Sequence, residues 1–307
     1  MEQRTLESFE YLCSQDAPPA CQSYCPIQVE AGSVTSQVAS GHVNEARKTL
    51  ERHMPLAGLC GRLCEGPCLG QCLRAGLDSP VNIPLIEAHV ASNGRAVKPF
   101  PMPATKNTVA LVGCGLSAMV CAYGLALKGH KAVIYHEGRP GQPLARLVPG
   151  KLPGKALEEA IDLLRYLKVE FRQLPTLGTA PPQGQGKSAP FLVGDMQGPM
   201  AIEGLIAGHS AVFLSTEDPC VQGLGLGIGQ LKADPVTRGT GRERLFLGPA
   251  ESEPRHIDSM SAGKKAAASM DRLFQGASPS AAREKEAVGP TRLVIDLSGR
   301  EKIPPAP

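Results

Sequence analysis

Seven cysteines crowded between positions 13 and 72 constrain this chain more than any other feature. Of ten in all, Cys13, Cys21, Cys25, Cys60, Cys64, Cys68 and Cys72 lie there, while Cys114, Cys121 and Cys220 are scattered beyond. The opening MEQRTLESFEYL carries charge throughout and has no apolar h-region, so no secretory leader is read and a reducing, cytoplasmic setting is expected. In that setting clustered thiols read as metal ligands rather than as a disulfide framework. The three isolated cysteines read by default as buried and inert.

The spacings are Cys13-x7-Cys21-x3-Cys25-Pro26 and Cys60-x3-Cys64-x3-Cys68-x3-Cys72. Four thiolates can hold a [4Fe–4S] cluster, and a cysteine followed by proline is similar to the close of a bacterial ferredoxin run. Gly66-Pro67 breaks any helix through Cys64, Cys68 and Cys72, so these wrap their site on a loop. Zinc is the alternative. Its C-x2-4-C pairs accommodate an x3 spacing, but seven thiols with almost no nearby histidine exceed one closed site.

At 307 residues the chain is long enough for about two domains. A net charge of +3 without a long charged run gives no nucleic-acid footprint, and the absence of Trp leaves no stacking platform. With 34 glycines and 28 prolines, about a fifth of the chain against a background of roughly 12%, much of it is loop. Residues 1–104 carry short helical patterns (Val34 and Val38; Val43, Ala46 and Leu50) separated by Gly41, with Pro55 ending the second, and close on the extended linker Lys98–Ala104. The apolar content here is thin for a core, so cofactors are expected to help hold this helical domain together.

From residue 105 the pattern turns α/β. Strands are expected at Val109–Val112, Ala132–Tyr135, Val169–Phe171, Ala211–Leu214 and Arg244–Leu247, and helices at Ser117–Lys128, Lys155–Leu167 and Ala262–Phe274. A Pro/Gly loop covers residues 178–190. The uncharged run Val109–Leu127 has the length of a membrane span, but Gly113, Gly115 and a strand-like start mark it as strand, turn and buried helix. Residues 277–307 form a tail with one strand-like run, Thr291–Ile295.

Gly113-Cys-Gly115-Leu-Ser-Ala118 is G-x-G-x-x-A between a strand and a helix, the context in which backbone amides meet a pyrophosphate. Twenty-three residues after Gly113, where an acidic residue would reach the ribose, stands His136, with Glu137 beside it. The alternative is a Rossmann-like half that no longer binds a nucleotide.

Together these pieces resemble the small-subunit glutamate synthase family, which also supplies the N-terminal part of dihydropyrimidine dehydrogenase. The resemblance rests on Cys21-Gln-Ser-Tyr-Cys25-Pro26, Met54-Pro-Leu-Ala-Gly-Leu-Cys60-Gly-Arg-Leu-Cys64, Cys68, Cys72, Ser79-Pro-Val-Asn-Ile83, the glycine turn, Pro140-Gly-Gln-Pro-Leu144 with Leu152-Pro153, and Ser261–Ala267. It implies a helical iron–sulfur domain followed by a Rossmann-like FAD domain, an α plus α/β organisation over residues 1–104 and 105–276. By resemblance, Cys25, Cys64, Cys68 and Cys72 hold one [4Fe–4S] cluster. Cys13 and Cys21 belong to a second, with Glu10 where its first cysteine is expected and Glu87 able to complete the set. Cys60 matches a family cysteine without an assigned role. Gly113, Gly115, Ala118, His136, Glu137 and Gly141 fall where FAD is bound.

Between Ala211–Leu214 and the return segment Leu231–Thr237 only about sixteen residues stand where that family carries a nicotinamide-nucleotide domain of roughly a hundred. The run Gly223–Gly229 in that gap reads as a loop, and Phe246–Glu251 lacks the aspartate of the family's Gly-Asp. The resulting expectation is an electron-transfer subunit, an iron–sulfur flavoprotein without its own NAD(P)H site that works against a larger redox subunit. Two alternatives stand beside it: a scaffold or conduit with an eroded flavin fold and one cluster, and a zinc-stabilised interaction module.

Overall fold

The computed structural model describes residues 17–147, 153–174, 199–222, 231–249, 255–283, 286 and 288–291. The chain divides into two compact units, Met1–Lys98 with Ala282–Pro307, and Pro99–Ala281.

The first unit is helical. Helices α1 (Ala31–Ala39) and α2 (Val43–His53) flank Gly41, and α3 runs over Ile83–Asn93. Ala46, Leu50 and Met54 turn into a core shared with Ile27, Val29, Val34, Leu59 and Val90. Arg47 is buried on α2; its guanidinium donates to Glu51 Oε1 at 2.7 Å and to the Ala91 carbonyl at 2.7 Å, satisfying an orphan acceptor near the end of α3. Asn82 starts α3, its Oδ1 accepting from Leu85 N at 3.2 Å, with Pro84 in the first turn where its missing N–H is harmless. In the C-terminal segment, Gly289 N donates to the Ser23 carbonyl at 3.2 Å and Thr291 Oγ1 to that of Pro18 at 2.5 Å. Thr291 itself is not in a strand; the rest of the strand-like run expected there lies outside the described residues.

The second unit is a parallel sheet in the order β3-β2-β1-β4-β5, with β1 Thr108–Val112, β2 Lys131–His136, β3 Glu170–Gln173, β4 Ala211–Leu214 and β5 Leu245–Leu247. Val109 pairs with Ala132 on one side and with Ala211 on the other. β4 and β5 are buried throughout, as strands covered on both faces must be, which is why they read as continuous apolar runs. Helix α4 (Leu116–Leu127) follows β1, α5 (Gly154–Tyr166) leads to β3, α6 (Pro199–Gly208) to β4, and α7 (His256–Phe274) follows β5. Val112, Leu214 and Leu247 pack with Ile202, Leu205 and Val221 on one face.

Helices α4 and α7 approach closely. A Cβ on Gly263 would lie 3.0 Å from Cys121 N, and one on Gly124 2.9 Å from the Ala267 Cβ. His130, buried after α4, is clasped between Thr105 Oγ1 at 2.7 Å and Asp271 of α7 at 3.0 Å. The long uncharged run is thus β1, a turn and α4. Among the described residues no helix is long and apolar enough to cross a membrane.

Candidate metal centre and glycine turn

Three elements of the first unit converge on the cysteines. A short turn, Ala20–Ser23, brings in Cys21 and then Cys25; the turn after Ala57–Cys60 brings Cys64; a loop past Gly66 brings Cys68. Gly66 has φ +67, and a Cβ there would press on the Pro84 ring at 2.6 Å, so the loop folds back on the first turn of α3. Gly61 is held close as well, since its Cβ would meet the Ala91 methyl at 2.9 Å. These contacts set Cys64 and Cys68 against the face of α3 that carries Glu87. Cys68 is buried with Ala31 and Ile83, and Cys21 packs on that group.

Burial is the main influence on Cys25, Cys64, Cys68 and Glu87. It pushes the Cys25 thiol up, against backbone amides of Val29, Ile27 and Gln28 that donate to its sulfur. The Cys64 thiol is raised by burial and by Glu87, with the Gly66 amide acting the other way. Cys68 is pushed up to about 12 by burial, then by Glu87, Cys25 and Cys21. Glu87 itself is pushed up to about 7 by burial, partly opposed by the Cys64 side chain. Only 2% exposed, it keeps Oε2 without a hydrogen-bond partner. Cys25, Cys64, Cys68 and Glu87 therefore form one electrostatically coupled, desolvated set.

Cys72 is half-buried between the short turns Leu69–Gln71 and Leu73–Gly76 and beside Arg74. Cys60 is fully buried, and burial alone raises its thiol. Cys13 lies outside the described residues. Among the described residues, no three His, Cys, Asp or Glu side chains are grouped as a single metal ion would need. A cubane is wider and takes its ligands at separate iron corners. Two buried sulfurs (Cys25, Cys68) and the half-buried Cys64, amides donating to Cys25 and Cys64, and an orphaned carboxyl oxygen fit that demand.

In the second unit Gly113 has φ +90 and continues the ladder, its N–H donating to the Tyr135 carbonyl at 2.8 Å. Gly115 precedes α4, and Ala118 is fully buried within it. Two amides of this turn already have partners from the loop after β4. Cys114 N donates to Asp218 Oδ2 at 2.8 Å, Ser117 N to Glu217 Oε1 at 2.8 Å, and Ser117 Oγ to Glu217 Oε2 at 2.9 Å. Burial raises the Glu217 carboxyl, against these bonds from Ser117. His136 is buried at the end of β2 with Nδ1 unpartnered, and burial lowers its pKa; Glu137 is half-buried. Gly141 N donates to Cys114 Sγ at 3.2 Å. Sequence pattern does not single out Glu217 and Asp218 as site residues, although Ser215-Thr-Glu-Asp-Pro219 carries the Asp-Pro signature of a helix start. The runs 223–229 and 178–190, and Ala250, lie outside the described residues.

Residues 7–98 match the family described as dihydropyrimidine dehydrogenase domain II, 4Fe-4S cluster. The NADPH-Fe(3+) oxidoreductase subunit beta of Geobacter sulfurreducens is 29% identical over 159 residues, 49% of this chain and 24% of that protein. The NAD-dependent dihydropyrimidine dehydrogenase subunit PreT of Escherichia coli is 27% identical over 173 residues, 54% and 42% of the two chains. The glutamate synthase [NADPH] small chain of Mycobacterium tuberculosis is 29% identical over 166 residues, 52% and 34%. The chain thus spans less than half the length of these relatives, and the resemblance read from its cysteines and glycine turn holds.

Proposed function

We propose that a chain carrying this 4Fe-4S domain is an electron-relay subunit of a redox complex, with one [4Fe–4S] cluster held by Cys25, Cys64, Cys68 and Glu87. The observation that carries the proposal is the grouping of buried Cys25 and Cys68 and half-buried Cys64 around one buried, orphaned carboxyl. A bound cluster supplies one-electron transfer. The chain's part is to hold the ligands as thiolates, which burial alone opposes and a cationic core reverses. Amides of Val29, Ile27 and Gln28 at Cys25, and of Gly66 at Cys64, donate to sulfur and favour the reduced state. Ala31 and Ile83 keep water from Cys68. Relatives named as subunits of larger oxidoreductases support a partner subunit as donor or acceptor.

By resemblance FAD would sit on the glycine turn, but two of its amides, Cys114 N and Ser117 N, are held by Asp218 and Glu217, so the proposed relay runs through iron and sulfur and ends at the partner. Iron and sulfide content with the electron paramagnetic resonance signal of the reduced protein tests the ligand set. Cys64→Ser and Glu87→Ala are expected to lose the signal and most of the iron, while Cys60→Ala keeps both. Full iron retention in Cys64→Ser, or equal loss in Cys60→Ala, contradicts the assignment.

A further inference from the structure

We infer that Glu217 and Asp218 occupy the anion seat of the glycine turn, and that the second unit is thereby closed to FAD and nicotinamide dinucleotides. In a sheet ordered 3-2-1-4-5, ligands bind beyond the carboxyl ends of the strands where the winding reverses, between β1 and β4. The loop Ser215–Asp218 comes off the carboxyl end of β4 and lies across that place. Its carboxyl oxygens take Cys114 N, Ser117 N and Ser117 Oγ at 2.8, 2.8 and 2.9 Å, donors aimed where a pyrophosphate would be received. The space is filled as well. A Cβ on Gly113 would stand 2.8 Å from the Asp218 Cβ, and one on Gly115 2.8 Å from Glu217 Oε1. The close approach that the two glycines allow is used by protein, not left for a phosphate.

The loop is fastened independently of the turn. Asp218 Oδ1 accepts from Cys220 N at 2.9 Å and starts the short helix Pro219–Gln222. Ser215 Oγ and Ser117 Oγ lie 3.1 Å apart, and Thr216 Oγ1 donates to the Pro249 carbonyl. Gly248 leaves room for the Glu217 head, since a Cβ there would come within 3.0 Å of Oε2. Buried Arg238, bonded to the carbonyls of Leu247 and Gly248, supplies a facing positive charge. At the ribose end, β2 closes on the buried imidazole of His136 rather than on an acid. A dinucleotide would have to displace two side chains that satisfy buried amides and are themselves satisfied. The fold is kept and its ligand is replaced from within, independently of the cluster assignment.

Equilibrium dialysis of the full-length protein against FAD and, separately, NADPH tests this. The wild type is expected to show no saturable binding of either. The Glu217→Ala/Asp218→Ser variant, checked for fold by circular dichroism, is expected to gain affinity by about tenfold or more. Stoichiometric binding by the wild type overturns the inference, as does a folded double variant that binds no better. If the double variant does not fold, amide hydrogen exchange of the wild type decides. Cys114 and Ser117 are expected to be protected without nucleotide and unchanged by FAD; rapid exchange at both overturns the inference.

Discussion

Replacing Asp218 by alanine isolates the link between the β4 loop and the glycine turn. The side chain serves two donors, Cys114 N at 2.8 Å through Oδ2 and Cys220 N at 2.9 Å through Oδ1. Both residues are buried, Cys114 completely. Leaving the Cys114 amide unsatisfied costs about 1–3 kcal/mol. Losing the cap on Pro219–Gln222 costs about 1 kcal/mol more. The sum, roughly 3 kcal/mol, lowers the melting temperature of a unit the size of Pro99–Ala281 by about 6–12 °C. Asp218→Asn retains one acceptor and is expected to fall between, at roughly 1–2 kcal/mol. Thermal unfolding followed by circular dichroism, with urea unfolding for the free energies, reads the series. An alanine variant within about 1 kcal/mol of wild type refutes the reasoning, because the turn amides would then have another partner.

Gly263→Ala is expected to destabilise by about 1–2 kcal/mol, the overpacking of the α4–α7 crossing outweighing the helix propensity gained. Gly154→Ala, at an open helix start in the same unit, is expected to be neutral or stabilising by about 0.5 kcal/mol in the same melts. Burial holds the Glu217 carboxyl above its usual range, so the folded state binds that proton more tightly than the unfolded chain. Its contribution to stability is therefore full below the unfolded pKa and declines as pH rises through the folded value. Glu217→Gln, facing Ser117, Ser215 and Arg238 without a titrating proton, is expected to show a flatter profile and a higher urea midpoint than wild type at pH 8. Equal midpoints at pH 5 and pH 8 in both proteins would count against this.

What could be read from residues alone followed local pattern. β4 was legible to its ends because a strand buried on both faces is an unbroken apolar run. Helix α3 was not, because Pro84 reads as a breaker, yet Asn82 before it is the cap that makes proline welcome in the first turn. Helix α7 begins at His256, six residues before the expected Ala262, since Ile257 and Met260 are buried in a stretch rich in polar residues. The grouping of thiols is a matter of long-range packing. The resemblance groups Cys72 with Cys25, Cys64 and Cys68, and the face of α3 adds Glu87 beside the last three, a neighbour that spacing along the chain does not give. The plug over the glycine turn joins residues about a hundred positions apart, beyond any periodicity.

The cofactor content of anaerobically purified wild-type protein tests the central claim most directly. About four iron atoms and as many acid-labile sulfides per chain, with no flavin released on heating, are predicted. Zinc without sulfide would contradict the cluster, and one FAD per chain would contradict the closed turn.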